Sequence, residues 1–261
     1  MDEKIFDQMG NALAGWDDPP ARLRAALEKN ELTLYCQPIR SLKGGATHPV
    51  AEVLVRLREE ESAMLPPGEF LPVFEHYGMM PQLDRWVVRA VLARLARGSK
   101  IPRFSINLSA QTLADEEFPR FVAGELVGAR VAPSALLFEI DESDLLARAA
   151  PVAAFSAAVR TIGIGLMADG FGRRAASFAP LKPLRPDFIK VDGSITRRVV
   201  SSEAAVRKVE AIVKVAEALG VAVVGECIEE QDVLLRLKAL GVGYVQGFGV
   251  FRPHPIDTVA P

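Results

Sequence analysis

The sequence is poor in the residues that build disulfide frameworks and histidine-based metal sites. It contains two cysteines, Cys36 and Cys227, and three histidines among 261 residues. Their number and spacing fit neither a disulfide scaffold nor a structural zinc site, and so few cysteines are typical of a reducing compartment. We therefore expect a cytoplasmic location.

A surplus of charge and a long apolar run are also absent. Lysine and arginine number 31 against 33 acidic residues, so the formal net charge is -2, and no basic field indicates a DNA or RNA partner. No apolar run approaches the roughly 18–20 residues of a membrane span. The composition, 49% hydrophobic and 25% charged, is typical of a globular chain with material for a large core.

The order of the predicted elements indicates an α/β barrel. Strands at 32–39 and 50–57 come first, and the link between them is too short for a parallel crossover, so we expect them to be antiparallel. Strands and helices then alternate, which gives about eight strands with apolar runs typical of burial on both faces. We predict a (β/α)8 TIM-like barrel with its first strand antiparallel. An open doubly wound sheet is the structural alternative.

The segment 163–172, GIGLMADGFG, is the stretch around which we expect the site to be organised. It predicts a short buried strand at 164–167 that leaves through a glycine-rich turn, with a helix at 175–181 after it. Asp169 stands at the predicted exit. An acid there is costly without a partner, which indicates a cation or a ligand. The alternative is that Asp169 caps an ordinary strand-to-helix turn.

Six successive predicted strands end in a polar or ionisable residue, which is where barrel enzymes carry their working side chains. In chain order these residues are Asn107, Glu139, Asp169, the pair Lys190 and Asp192, Glu226, and Gln246. Capping alone does not explain six in a row.

Two further residues, Glu52 and Arg56, lie on one face of the second strand with Leu54 between them. The oxygen ligands form a hard-cation set suited to Mg²⁺ or Mn²⁺. That set is Glu52, Asn107, Glu139 and Asp169. Lys190 and Arg56 supply the positive charge that an anionic, phosphate-like ligand requires. Glu226 has the chemistry to orient or deprotonate a water.

These residues carry a resemblance that covers about residues 21–253. The matching stretches are LTLYCQPI, AEVLVRL, FSINLS, FEIDES, MADGFG, FIKVDGS, VVGECIEE and QGFGVFRP. The sequence resembles an EAL domain, the bacterial cyclic di-GMP phosphodiesterase module, with EVL in place of EAL. The resemblance implies a barrel with an antiparallel first strand. It also implies an EAL domain at 21–258 after a lead-in at 1–20, standing alone or as the cytoplasmic part of a larger signalling protein.

The resemblance also implies roles for particular residues. The first metal ion would be bound by Glu52, Asn107, Glu139 and Asp169. The attacking water would be handled by Lys190 and Glu226. The ligand would be contacted by Gln37, Leu54, Arg56, Asp192, Glu229, Gln246 and Pro253. Glu142 would brace the loop after the fifth strand. Active members use two metal ions to cleave one phosphodiester bond of cyclic di-GMP, giving linear pGpG.

The sequence departs from the family pattern around the second metal. Gly170 stands where active members have the second aspartate of DDFG, and the loop GTGYSS is replaced by residues 172–177, GRRAAS. Cys227 replaces the glycine of AEGVE. Losing one of two metals should cost roughly a thousandfold in rate or more, whereas the ligand-contacting Gln37 and Arg56 are retained. The departures therefore fall more on catalysis than on binding.

We accordingly predict a cyclic di-GMP receptor with one metal site, which hydrolyses its ligand poorly or not at all and signals to a protein partner. A slow metal-dependent phosphodiesterase, its second site completed by water or Asp192, is the first alternative. A ligand-free interaction scaffold is the second. Arg173 and Arg174 either pair with a ligand phosphate in place of the missing cation or are two solvated loop residues. The sequence is also compatible with a homodimer.

Overall fold

The computed structural model describes residue 16 and residues 18–29, 31–43, 47–58, 64–65, 67–174 and 177–258. The strands in these ranges are β1 (Leu32–Ser41), β2 (Val50–Arg58), β3 (Met64–Leu65), β4 (Phe104–Asn107), β5 (Leu136–Asp141), β6 (Gly165–Phe171), β7 (Phe188–Val191), β8 (Ala222–Gly225), β9 (Tyr244–Val245) and β10 (His254–Pro255).

The α-helices in the same ranges are α1 (Pro19–Glu28), α2 (Pro67–His76), α3 (Met80–Ala96), α4 (Ala110–Leu113), α5 (Phe118–Ala129), α6 (Glu142–Ala147), α7 (Ala149–Ile162), α8 (Leu181–Leu184), α9 (Gly193–Thr196), α10 (Glu203–Leu219) and α11 (Gln231–Ala239). Short 3-10 turns cover Pro133–Ala135 and Ile256–Thr258. In this part of the chain, no helix combines the length and apolarity that crossing a lipid bilayer requires.

The sheet closes on itself as an eight-stranded barrel. Neighbouring strands from β2 through β4 to β9 run parallel, and β1 pairs antiparallel with both β2 and β9, which closes the ring. Outside the eight-stranded ring, the short β3 pairs antiparallel with β2, and the short β10 pairs antiparallel with β1. The predicted barrel with a reversed first strand is confirmed, and the open doubly wound sheet is excluded.

The barrel has apolar packing on both sides of its wall. A large cluster fills the space between the strands and the outer helices. A smaller, separate cluster joins side chains of six barrel strands, and we call it the inner cluster. Its buried members are Ile39, Val50, Leu137, Met167, Phe188 and Val224. Since successive side chains of a strand point to opposite faces, the inner cluster defines which positions face the barrel axis.

Two expectations around Asp169 are wrong in detail. Strand β6 continues to Phe171, so Asp169 lies inside the strand, and the register with β7 shifts between Ala168 and Phe171. The helix expected at 175–181 is not formed over its described residues 177–180; α8 begins at Leu181 instead. A helix beginning at 175 would place Pro180 in its interior, where proline lacks an N–H and clashes with the preceding turn.

Candidate functional site

One polar layer lies directly above the inner cluster, at the mouth of the barrel. On each of seven strands a polar residue stands two positions from a residue of the inner cluster, or, on β9, from Tyr244, which is partly buried and packs against that cluster. Both residues of each pair therefore point to the barrel axis. The pairs are Ile39 with Gln37, Val50 with Glu52, Leu137 with Glu139, Met167 with Asp169, Phe188 with Lys190, Val224 with Glu226 and Tyr244 with Gln246. The alternation of the strands thus brings seven predicted site residues to one level.

The Lys190 ammonium group is the centre of this layer. Its Nζ lies 3.0 Å from Glu52 Oε2 and 3.2 Å from Asp169 Oδ1, and it donates a hydrogen bond to Glu139 Oε2. Burial alone would lower the pKa of Lys190, but Asp169, Glu139 and Glu52 outweigh it and hold the pKa well above its usual value. The lysine is therefore a fixed cation at neutral pH.

The two glutamates beside Lys190 differ in their preference for a proton. Burial raises the pKa of Glu52, but Lys190 and donated hydrogen bonds from Asn107, Lys190 and Gln246 lower it below its usual value overall. For Glu139, burial and the neighbouring Glu52 carboxylate raise the pKa more than Lys190 lowers it. The layer thus holds Glu52 as the firmly charged partner of the lysine.

Amide side chains link the strands that close the ring. Asn107 Nδ2 donates to Glu52 Oε1 at 2.7 Å, and Gln246 Nε2 donates to Glu52 Oε2 at 2.8 Å and to Gln37 Oε1 at 3.3 Å. Gln37 Nε2 in turn donates to the Phe251 carbonyl at 2.8 Å. Glu52 consequently accepts hydrogen bonds both from the amide side chains and from Lys190.

The chemistry of this layer fits a hard divalent cation. Glu139 Oε1 and Asp169 Oδ1 are buried and accept no hydrogen bond, although Asp169 Oδ1 lies 3.2 Å from the Lys190 ammonium group. Such oxygens are the ligands that Mg²⁺ and Mn²⁺ prefer. Within the described ranges, however, no three carboxylate, histidine or cysteine side chains already have the spacing of a metal centre. Lys190 holds the acids in their present arrangement.

Glu226 stands at the edge of the layer, where burial raises its pKa. Its Oε1 accepts a hydrogen bond from the Gly193 N–H at 2.6 Å. Burial raises the pKa of Glu226 to about 7, against the lowering effect of Lys190. Glu226, Gln37, Gln246 and the predicted ligand residue Glu229 line a cavity of about 180 Å³. A carboxylate with this pKa can exchange a proton with water near neutral pH.

The β1–β2 ribbon carries the remaining predicted ligand residues above the layer. Pairing sets Gln37 opposite Glu52, Tyr35 opposite Leu54 and Thr33 opposite Arg56. The Arg56 guanidinium lies 5.5 Å from the centroid of the Tyr35 ring, and its Nη1 donates to the Val55 carbonyl.

The last predicted ligand residue, Pro253, stands on the β1 side of the mouth. It directly precedes β10, whose His254 and Pro255 pair with Cys36 and Tyr35 of β1. Pro253 is half-buried. The structure therefore places it beside the ribbon and outside the polar layer.

Two acids at the loops form a further level above Glu139 and Lys190. Asp141 and Asp192 each cap a short helix that the sequence analysis missed, through a hydrogen bond from the N–H of Ser143 or Ser194 at 2.8 Å. Asp141 lies two residues beyond Glu139, and Asp192 lies two residues beyond Lys190. The repeated pattern of an acid followed two residues later by serine is a signal from which α6 and α9 could have been predicted.

Glu142 connects this level to the loop after β6. Its side chain is buried, and its two oxygens accept from the N–H groups of Gly172 at 2.7 Å and Arg174 at 2.8 Å. Both loop amides are thereby held at fixed positions next to Gly170.

Asp84 is a candidate site residue that sequence reasoning missed. Its Oδ2 accepts from Ser109 N–H, Ser109 Oγ and Thr112 Oγ1 at 3.1, 2.9 and 2.6 Å, and burial raises its pKa to about 6. It lines an apolar cavity of about 280 Å³ together with Leu54 and Asn107. An acid next to Leu83, on the apolar face of a predicted helix, was the available signal.

These observations define a class of protein: a closed barrel with a reversed first strand and a polar, acid-rich mouth. The model of the EAL domain family matches residues 21–253, so this chain belongs to the EAL family. Cyclic di-GMP phosphodiesterase PdeF of Escherichia coli (strain K12) is 33% identical over 242 residues, which cover 91% of this chain and 32% of that protein. The chain thus spans about a third of the length of the curated relatives it matches.

Solved structures agree with the family. The PaMucR phosphodiesterase in complex with c-di-GMP has a TM-score of 0.85 and 27% identity, covering 93% of this chain and 99% of that one. The FimX EAL domain from Pseudomonas aeruginosa bound to c-di-GMP has a TM-score of 0.83 and 27% identity, covering 92% and 98%. The neighbours of this fold therefore include complexes with the cyclic dinucleotide.

Proposed function

We propose that this EAL domain binds cyclic di-GMP at the mouth of its barrel and hydrolyses it weakly or not at all. The observation that carries the proposal is the convergence of polar side chains from seven strands around Lys190. Relatives named as cyclic di-GMP phosphodiesterases and neighbours solved with c-di-GMP support the choice of ligand.

The surroundings of the polar layer suit a molecule with two purines and two phosphates. The cavity beside Glu226 has Phe248 in its wall, and the cavity beside Asn107 combines apolar walls with the Asp84 carboxylate. Flat apolar rings stack on aromatic side chains, and ring N–H groups donate to carboxylates. Arg56 adds positive charge above the layer for a phosphate.

Phosphodiesterases of this family generally depend on divalent metal ions, and four residues of this chain fit such an ion. They are Glu52, Asn107, Glu139 and Asp169. The ion would supply a Lewis acid for the phosphate and lower the pKa of a bound water. Lys190 keeps Glu52 charged and in place, and Glu226 Oε2 is the atom that would take the proton of the attacking water.

Gly170 is the reason for expecting weak hydrolysis. The family resemblance puts a second aspartate at this position, and glycine offers no ligand atom. A two-metal site stabilises both the attacking and the leaving oxygen, so losing one metal should slow the reaction by roughly a thousandfold. Binding depends on other residues and is spared.

Calorimetric titration with cyclic di-GMP and Mg²⁺ tests the binding. We expect a dissociation constant in the micromolar range, weakened about tenfold or more by Arg56→Ala, because a charge-assisted contact is lost. Arg58→Ala, the same change at an exposed position two residues along β2, is the matched control and should bind as the wild type does. Absence of binding at tens of micromolar would overturn the proposal in favour of a ligand-free scaffold.

A slow phosphodiesterase is the second candidate function. It is favoured by the two buried carboxylate oxygens of Glu139 and Asp169 that accept no hydrogen bond and by a Glu226 pKa of about 7. Repeated turnover of cyclic di-GMP to pGpG with Mn²⁺, abolished by Glu52→Ala and by Glu226→Gln, would establish it. Single-turnover or absent product formation would leave the receptor as the function.

A further inference from the structure

Arg173 is fixed across the mouth of the barrel by two acids. Its Nη2 lies 2.7 Å from Asp141 Oδ2, and its Nη1 lies 3.7 Å from Asp192 Oδ2. Asp141 is the last residue of β5 and Asp192 directly follows β7, so the guanidinium spans the space over β6, which lies between those two strands. Arginine stays protonated at any ordinary pH and presents five N–H donors in a plane, more than these two contacts use.

The Arg173 guanidinium lies in the space next to Gly170 that a side chain at position 170 would enter. A Cβ built on Gly170 would stand 3.3 Å from Asp141 Oδ2 and 3.4 Å from Arg173 Nη2. The backbone there has a φ of +61°, in the left-handed region that favours glycine. The Asp141–Arg173 pair therefore packs directly against residue 170, on the side where a side chain would project.

Arg173 and its neighbour Arg174 are in different situations. The Arg173 side chain is 42% exposed at the mouth while paired to both acids. For Arg174 the backbone N–H is the group held by Glu142, and the residue as a whole is exposed. Of the two arginines considered from the sequence, only Arg173 is held at the level of the site by acids that belong to it.

We propose that the Arg173 guanidinium is a built-in cation of the ligand site, which donates to a phosphate oxygen of the cyclic dinucleotide and replaces a divalent ion beside residue 170. This inference rests on the proposed binding of cyclic di-GMP. The mouth carries Asp141, Glu142 and Asp192 in addition to the acids around Lys190. An anionic ligand approaching so many carboxylates requires a cation at this level, and the fixed arginine supplies one.

The test is a calorimetric titration of the full chain with cyclic di-GMP, once in EDTA and once in Mg²⁺. We expect the wild type to bind in EDTA within about threefold of its affinity in Mg²⁺. Arg173→Ala should lose about 10- to 100-fold in EDTA, the range of a charge-assisted contact. Arg174→Ala removes the same charge from the next residue and should bind as the wild type does. Arg173→Lys should fall between them, because an ammonium group cannot span both acids.

The outcomes separate this inference from the function on which it rests. If the wild type binds cyclic di-GMP but Arg173→Ala and Arg174→Ala match it in EDTA, the role of Arg173 is wrong and the receptor stands. Tighter binding by Arg173→Ala, or a wild type that binds only with Mg²⁺, overturns the inference as well. If the wild type binds in neither buffer, the proposed function itself fails. Thermal melting of each variant checks that the exposed substitutions leave the barrel folded.

Discussion

Lys190 on β7 and Glu52 on β2 form an ion pair across the inside of the barrel, with Nζ 3.0 Å from Oε2. Both side chains are largely withdrawn from solvent. A buried charge costs several kcal/mol unless it is paired, so each residue depends on the other. The pair joins β2 and β7, which are not neighbours in the sheet.

Replacing Lys190 by methionine should therefore destabilise the barrel. At pH 7.5 we expect the free energy of unfolding to fall by about 3–5 kcal/mol, because three carboxylates lose their common cation. The loss should shrink at pH 5.5, because burial and the Glu52 charge raise the pKa of Glu139, Lys190 no longer opposes them in the variant, and a protonated Glu139 does not repel Glu52. Urea denaturation at the two pH values measures both effects.

Lys214→Met provides the control for that experiment, because Lys214 is an exposed lysine on α10. Its unfolding free energy should stay close to that of the wild type at both pH values. If Lys190→Met proved as stable as the wild type at pH 7.5, the ion pairs around Lys190 would not contribute to the fold.

Asp84 gives a prediction in which the direction of the pH effect is decisive. Burial raises its folded-state pKa from 3.8 to about 6, so the stability that its neutral form contributes is lost as pH rises through about 6. The amide that Asp84→Asn introduces does not titrate. Between pH 5 and pH 7.5 the stability of the variant relative to the wild type should therefore rise by about 1 kcal/mol.

Chemical denaturation across that pH range measures the difference for Asp84→Asn. Glu210→Gln, at an exposed position of α10, should give a profile parallel to that of the wild type. A constant difference between Asp84→Asn and the wild type would show that Asp84 is charged throughout, held so by its three hydrogen-bond donors.

Glu142→Gln should loosen the loop after β6 while leaving the barrel folded. An amide offers one acceptor oxygen, whereas the carboxylate accepts from both Gly172 and Arg174. One buried N–H would then face an NH₂ group, at a cost of about 1–3 kcal/mol. Hydrogen exchange should become faster at these two amides. Asp144→Asn, a change on the same helix away from that loop, should leave their exchange unchanged; equal protection in Glu142→Gln would contradict the bracing role.

The alternation of the strands is the part of the site that could be predicted from the sequence. Residues at strand ends converge in a barrel whatever their distance along the chain, so Asn107, Glu139 and Lys190 were assigned to one mouth. Glu52 did not fit that rule, because it lies near the start of its strand. Strand β2 continues for six residues beyond Glu52, as a ribbon with β1, and so Glu52 itself stands at the level of the mouth.

The rule that strand ends converge does not predict the contacts made by neighbouring loops and helices. Asp141 and Asp192 meet through Arg173 only because the loop after β6 folds back over Gly170. Asp84 belongs to the site region because the helix α3 packs against the β4 end, where Ser109 and Thr112 bond to it. Periodicity identifies which face of an element is buried, but not which element covers it.

Gly170→Asp tests whether residue 170 limits hydrolysis. The φ of +61° should make both Gly170→Asp and Gly170→Ala less stable by about 1 kcal/mol, so the alanine variant isolates the strain. Only aspartate adds a metal ligand, and with Mn²⁺ it should raise pGpG formation about tenfold or more. Because Arg173 packs against this position, the gain should grow further in Gly170→Asp/Arg173→Ala. If neither background gained over Gly170→Ala, the proposed limit on hydrolysis at residue 170 would be wrong.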